Sequence, residues 1–298
     1  MPMTKKYLEF EQDGVKYNLY DMPKGFVVKG NLDLRGKDLT ELPDLSDVVV
    51  EGNFYCSMNQ LTTLKGAPQK VGGHFCCSYN KLTTLKSAPL EVGGDFRCYD
   101  NQLITLEGAP KEVGRHFDCF ENQLTTLEGA PQKVGRVFNC SVNKLTTLEG
   151  APQKVGGDFK CSDNQLTTLE GAPREVGGDF KCSDNQLTTL EGAPEKVGGV
   201  FWCNGNRLKS LLHLPIMQAK RAINCDDELA QKYGISKGEF TANELNESSV
   251  YQNEVKIYKL RLQKSQERAE REDKAVADIK ARFAAWQAQQ AQKDGPEK

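Results

Sequence analysis

No stretch of this chain approaches the roughly 20 consecutive apolar residues that a bilayer-spanning helix needs. The opening residues, MPMTKKYLEFEQDG, also lack the apolar run of a secretory signal. Both absences lead to the expectation of a cytoplasmic protein with no membrane partner. An excess of one charge is missing too: 39 basic residues face 41 acidic ones, for a formal net charge of −2. That balance gives no global reason to expect nucleic acid or an anionic surface as partner. There is no Gly-rich phosphate loop and no nucleophile elbow. The sequence therefore calls for no cofactor and offers no ready catalytic motif.

What the sequence has in abundance is itself. VGGDFKCSDNQLTTLEGAP recurs almost verbatim, with equivalent positions 21 residues apart. Cysteines run from Cys56 to Cys203 on this period, phenylalanines from Phe54 to Phe201, and asparagines from Asn59 to Asn206. A unit this short cannot bury its own apolar face, so it must stack on its copies. Phe and Cys stand two apart, as on the inner face of a strand. The Asn three residues on suits a turn whose amide bonds free backbone groups. Two leucines then return the chain to the core, and the Pro and Gly-Gly make corners. Strands about 4.8 Å apart would give the well-formed units a sheet roughly 35 Å long.

The pattern F-x-C-x-x-N-x-L-x-x-L resembles the leucine-rich-repeat core, in the short form found in bacterial and bacteriophage proteins. It departs from that pattern before the strand, where Val71 lies four residues ahead of Phe75 rather than three. The resemblance covers roughly residues 30–226. It implies a β-rich solenoid with parallel strands on a concave face, a face that binds macromolecules. Degenerate units flank the array. Leu32, Leu34, Leu39 and Leu42 fit at an offset of 22 residues, and Ile223 and Cys225 repeat Phe201 and Cys203 at the same offset.

Residues 7–20 read as two alternating strands around Asp13-Gly14, a hairpin covering the first repeat. The expected organisation is a hairpin cap over 1–30, the solenoid over 31–226 and a connector over 227–248. A heptad helix over 249–292 and a tail over 293–298 complete it. Ser249 with Gln252 forms a capping-box pattern at the helix start, and Asp294-Gly295-Pro296 marks its stop. Val255, Tyr258, Leu262, Val276, Ile279, Phe283 and Trp286 fall on one heptad stripe, interrupted at Ser265 and Glu272. The stripe makes the helix a candidate for homo-oligomerisation, for docking a partner, or for packing on the solenoid.

Ten cysteines would suit a disulfide framework, but an every-rung ladder defines no unique pairing. The ladder reads as buried thiols behaving as small hydrophobes. Cys76 differs, because it sits between Phe75 and Cys77 and should point outward near His74 and His116. A thiol-dependent enzyme is the alternative this raises. The two histidines lie two rungs apart, roughly 10 Å, too far for one zinc ion, so no metal is expected. Cys225-Asp226-Asp227 resembles the Cys-x-Asp feature of bacterial effector ubiquitin ligases, but Cys225 falls on the core ladder, which sets that reading aside. A ladder of glutamates from Glu107 to Glu191 reads as a solvated edge.

In so regular an array the departures carry the information. The residue between Phe and Cys varies through Tyr55, Cys76, Arg97, Asp118 and Trp202, and the residue before Phe includes His74 and His116. After Cys come Tyr99 and Phe120, and one further on Met58, Tyr79 and Val142. Such side chains on an exposed face have no structural need to be there, and their types are those enriched at interfaces. The expected partner-binding set is Tyr55, Met58, His74, Tyr79, Arg97, Tyr99, His116, Asp118, Phe120 and Val142, with Trp202 as a second anchor. Acidic residues outnumber basic ones on this face, which favours a protein over nucleic acid. The sequence thus describes a non-enzymatic interaction protein, with a structural virion or scaffold component as a further alternative. By resemblance, it would be a phage or bacterial inhibitor or adaptor acting on a host or defence protein.

Overall fold

The computed structural model describes residues 8–217 and 222–293, the last helical turns mainly as backbone. Contacts divide the chain into two compact units, Met1–Glu247 and Ser248–Lys298. In the first unit each repeat makes one coil of a parallel-strand solenoid, the leucine-rich-repeat architecture that the F-x-C-x-x-N-x-L-x-x-L pattern implies.

Each coil contributes one short strand, of two residues in all but the last, to each of two sheets. The first, here the Phe sheet, has 11 strands, including Phe54–Tyr55, Phe96–Arg97 and Phe201–Trp202. The second, the Val sheet, has 10, including Lys70–Val71, Glu112–Val113 and Lys196–Val197. It explains the valine that sits off the leucine-rich-repeat spacing: Val71 and its equivalents belong to a second strand, and the Gly-Gly after them is the corner between sheets. From Gly72 to Gly198 the first of these positions is always glycine, because the coil below approaches closely there. A Cβ on Gly114 would lie 2.0 Å from the Gly93 carbonyl oxygen of the coil below.

The stack is held in register by three kinds of repeated contact. Phe54 to Phe201 are fully buried, with neighbouring ring centroids 5.2–5.6 Å apart. Each core cysteine lies beside them, and several donate to the next coil's carbonyl, as Cys182 Sγ does to Trp202 O at 3.2 Å. The asparagines bond coil to coil. Asn122 donates from Nδ2 to Cys119 O in its own turn and to Cys98 O of the preceding coil, both at 3.1 Å. Its Oδ1 accepts from Leu103 N at 3.0 Å. The second threonine of each L-T-T-L closes a smaller turn, as where Thr126 Oγ1 accepts from Glu128 N.

Both ends of the stack are covered. The strands Glu9–Gln12 and Val15–Asn18 form the antiparallel hairpin, with Asp13 and Gly14 both at positive φ in its turn. Phe10 and Tyr17 pack on Phe26, and the Gln12 amide mimics a peptide group at the edge of the Val sheet. It donates to Val27 O and accepts from Lys29 N. At the other end, Glu239–Thr241 pairs antiparallel with Ala222–Asn224, so the growing parallel edge stops. Helix α1 (Asp227–Lys232) and helix α2 (Ala242–Glu247) flank this strand. Thr241 and Glu244 form a capping box at the start of α2.

The second unit is helix α3, Ser249–Lys293. Its cap is Ser248, one residue ahead of the sequence expectation: Ser248 O accepts from Gln252 N and its Oγ accepts from Tyr251 N. Asp294, Gly295 and Pro296 lie outside the described residues. Among the described residues no helix is long and apolar enough to cross a membrane.

Candidate functional site

The outer face of the Phe sheet carries three columns of side chains, and the structure gives each a different character. In the column before Phe, side chains are tied to the backbone. Asn53 Oδ1 accepts from His74 N, Asp158 Oδ1 from Asp179 N, and Asp179 Oδ1 from Val200 N. His74 does the same through Nδ1, which accepts from Asp95 N at 2.8 Å. That nitrogen therefore carries no proton, and its 3.3 Å approach to Asp95 Oδ2 is not an ion pair. His116 lies one coil beyond Asp95 and two beyond His74, its backbone N–H directed at Asp95 Oδ1 at 3.3 Å.

The central column joins the first in an ion-pair cluster around Asp95. Its side chain is only 4 % exposed and meets Arg97 at 2.8 Å and Arg115 at 3.8 Å. Arg97 also reaches Asp118 at 3.7 Å. Burial pushes the Asp118 carboxyl above the usual range, and the Arg97 charge opposes that shift. Tyr55 lies under the Arg35 guanidinium, 4.7 Å from the ring centre. Cys76 shares this column, but its neighbours cover it to 9 % exposure. Ser57 Oγ lies 3.5 Å and Ser78 Oγ 3.8 Å from its sulfur. The expectation of an outward, accessible thiol is corrected here. Its hydrogen-bond partners are serines, not histidines.

The third column runs along the turn edge and is the most open. Met58 is 64 % exposed, Tyr79 48 % and Val142 45 %. Tyr79 meets Tyr99 edge-on at 5.2 Å, and Tyr99 stacks on Phe120 at 4.4 Å with the planes 11° apart. Burial raises the Tyr99 phenol above its ordinary value, with Cys76 and Tyr79 adding to the shift. The carboxylates Asp100, Glu121, Asp163 and Asp184 lie on the same turn edge, exposed, with no basic group within 4.0 Å among the described residues.

One property of this edge is invisible to residue-type reasoning alone. Met58, Tyr79, Asp100, Glu121, Val142, Asp163 and Asp184 all have φ between 51° and 58°, and Gly205 has 67°. This is the left-handed region, which Gly, Asn and Asp tolerate and β-branched residues avoid. Asp and Gly at the equivalent positions were the signal in the sequence. Bulky apolar side chains are therefore placed on the surface in a backbone conformation that disfavours them.

The structure brings Met58, Tyr79, Tyr99, Phe120 and Val142 together over five consecutive coils, about 20 Å of edge. Trp202 is not part of this run. Between it and Val142 stand two coils whose Lys160 and Lys181 pair with Asp158 and Asp179 at 3.6 and 3.5 Å. Its half-buried ring lies under Lys181, and its Nε1 is buried without an acceptor. Leu90 and Ile104 are exposed apolar residues in the same coils, one before the Val-sheet strand and the other in the L-T-T-L turn. On α3, Tyr258 and Leu262 are exposed and Val255 is half-buried, while the side chains of Val276, Ile279, Phe283 and Trp286 lie outside the described residues. Among the described residues no group of three or more His, Cys, Asp or Glu is placed to hold a metal ion. Two surface depressions lie at the ends of the array, one at Asn206–Lys209 against Asp226 and Lys232, the other at Leu8, Asp33 and Lys37. Neither is lined by the turn-edge aromatics.

No family model matches the chain, and no curated protein does. Among solved structures it is similar to YopM from Yersinia enterocolitica WA-314, with 24 % identity and a TM-score of 0.54. That match covers 70 % of this chain and 44 % of the YopM chain, so this chain spans less than half of its neighbour's length. YopM of Yersinia pestis, described as a leucine-rich effector protein, matches at 21 % identity and a TM-score of 0.47, over 66 % of this chain and 56 % of that one. The first likeness is one of fold.

Proposed function

We propose that this chain is a non-enzymatic binding module that seats a protein partner along the turn edge of its Phe sheet, from Tyr55 to Val142. The observation that carries the reading is the exposed run of Met58, Tyr79, Tyr99, Phe120 and Val142, three of them held at positive φ where neighbouring coils use Asp. Strain retained at a surface position points to a use for the side chain held there. The surface is an open edge rather than a deep cleft, which suits a protein better than a small molecule. The unpaired carboxylates beside it would repel a phosphate backbone. Arg97 and Asp118 flank the run as a charged border, His74 acts mainly by holding that border's backbone, and His116 adds its side chain to the same border. Trp202 is a separate, secondary anchor. The near-verbatim units resemble those of bacterial and phage proteins, and on that basis the partner is a bacterial host or defence protein met in the cytoplasm. Helix α3 associates with a second copy.

The test is affinity capture from a bacterial lysate with wild type and with a Met58→Asp/Tyr79→Asp/Val142→Asp variant. Asp is the residue that other coils use at this turn, so the variant keeps the fold. A protein held by wild type and lost by the variant supports the site, and equal capture by both removes it. The thiol-enzyme alternative is tested by iodoacetamide labelling of the native protein. Cys76 labelled faster than a free thiol would favour that alternative, and no labelling would end it.

A further inference from the structure

We infer that α3 pairs with α3 of a second copy of this chain as a parallel, in-register, two-stranded coiled coil. The inference rests on the reading of α3 as a self-association element and adds its orientation and register.

At 45 residues the helix is about 67 Å long. Every residue from 256 to 274 is exposed, including Ile257, Tyr258, Leu260 and Leu262 at 37–49 %. A helix on its own draws little stability from propensity, and apolar residues recurring along it need cover. Val255, Tyr258, Leu262 and Ala269 lie on one heptad seam, at the a, d, a and a positions. By sequence the seam continues at Val276, Ile279, Phe283 and Trp286.

The charges beside the seam decide the arrangement. In a parallel, in-register pair each g residue faces the following e residue of the other helix. Glu254 then meets Lys259 of the second copy, and Arg268 meets its Asp273, while Arg261 meets Gln266. Opposite charges meet twice on each flank and like charges do not meet there; the like charges that do meet are the two Glu272 in the seam. An antiparallel pair that overlaps the two apolar ends of the seam sets e against e instead. It puts Lys259 against Lys280 and Gln266 against Asp273, and on the g side Arg261 against Arg282, two repulsions and no attraction.

The seam also contains Ser265 and Glu272. The parallel arrangement brings the two Glu272 side chains together, each bonded by Arg268 of its own helix at 2.8 Å. Polar seam residues weaken a coiled coil and fix its register. Ile257 and Leu260 fall off the seam, and this pairing leaves them uncovered.

The experiment uses the full chain. Light scattering should give twice 33.1 kDa at micromolar concentration. Leu262→Cys should form an inter-chain disulfide on mild oxidation, since parallel pairing places the two cysteines side by side. In the antiparallel arrangement they would be about 25 Å apart along the axis. The native thiols are buried in the solenoid and do not compete. Glu254→Lys should weaken the dimer at least tenfold, Glu254→Lys/Lys259→Glu should restore it, and Glu272→Leu should tighten it by about tenfold. A monomer at all these concentrations overturns both the inference and the self-association reading, whatever the fate of the turn-edge site. A dimer without the Leu262→Cys cross-link, or without rescue by the charge swap, overturns the parallel register alone.

Discussion

Val142 shows how much one residue can say when its backbone is considered with its exposure. It is β-branched, 45 % exposed and held at φ 55°, whereas Asp163 and Asp184 hold the same place in later coils. The left-handed conformation costs an L-residue about 1–2 kcal/mol, and less for Asn or Asp, which can bond locally. Val142→Asn is therefore expected to raise stability by about 1 kcal/mol, read as a shift in the urea midpoint without a change in slope. The same substitution should weaken partner capture. A variant that is less stable than wild type would remove the strain argument for this edge. Residue type was legible in the sequence here, and Met58, Tyr79 and Val142 stand out from their equivalents by chemistry alone. The left-handed turn was not, because the repeat disguises it under an Asp that reads as ordinary surface.

Elements in this molecule are too small to exist alone: most strands have two residues, and what defines a coil is the bonding of its turn to the coil before. Asn122 serves four backbone groups, at Cys119, Cys98, Phe120 and Leu103. Asn122→Ala would leave the buried Leu103 N–H without its partner, at about 1–3 kcal/mol, while Cys98 O and Cys119 O keep the amides of Asn101 and Asn143. Asn122→Asp keeps the acceptor but removes the donor. The expected order of stability is wild type, then Asp, then Ala, with hydrogen exchange rising first in the coils on either side of residue 122. Uniform loss of protection along the whole array would contradict nearest-neighbour stacking. The period of the repeat made the Phe, Cys and Asn ladders legible, since burial and bonding recur with it. The Val sheet was harder to see, because a valine four residues before Phe does not fit the leucine-rich-repeat spacing and a two-residue strand has no periodicity of its own. Cys76 shows the limit of alternation as a guide: its side faces outward, yet it is buried with Ser57 and Ser78 against its sulfur.

At the scale of the whole molecule, the cysteine ladder couples folding to pH. The eight thiols from Cys56 to Cys203 are fully buried, and burial pushes each one up, Cys140 and Cys182 among them, while Cys225 rises to about 12. In the unfolded chain these thiols ionise near their ordinary value of about 8.5. Above that pH the folded state still holds protons that the unfolded state has lost. Fewer protons are bound on unfolding, so stability falls as pH rises, by about 1.4 kcal/mol per pH unit for each thiol in the unit that unfolds. Below about pH 8 both states are protonated and the ladder contributes no pH dependence. Urea midpoints should thus be flat from pH 6.5 to 8 and drop steeply between pH 8.5 and 9.5, before lysines and tyrosines titrate. Replacing Cys98, Cys119, Cys140 and Cys161 by Ala should lower the plateau, because small cavities form, yet make the alkaline slope shallower. The slope, not the plateau, reports the thiols. A wild-type midpoint that stays level through pH 9.5, or a slope unchanged in the four-alanine variant, would mean that the ladder opens to solvent and does not form a sealed core.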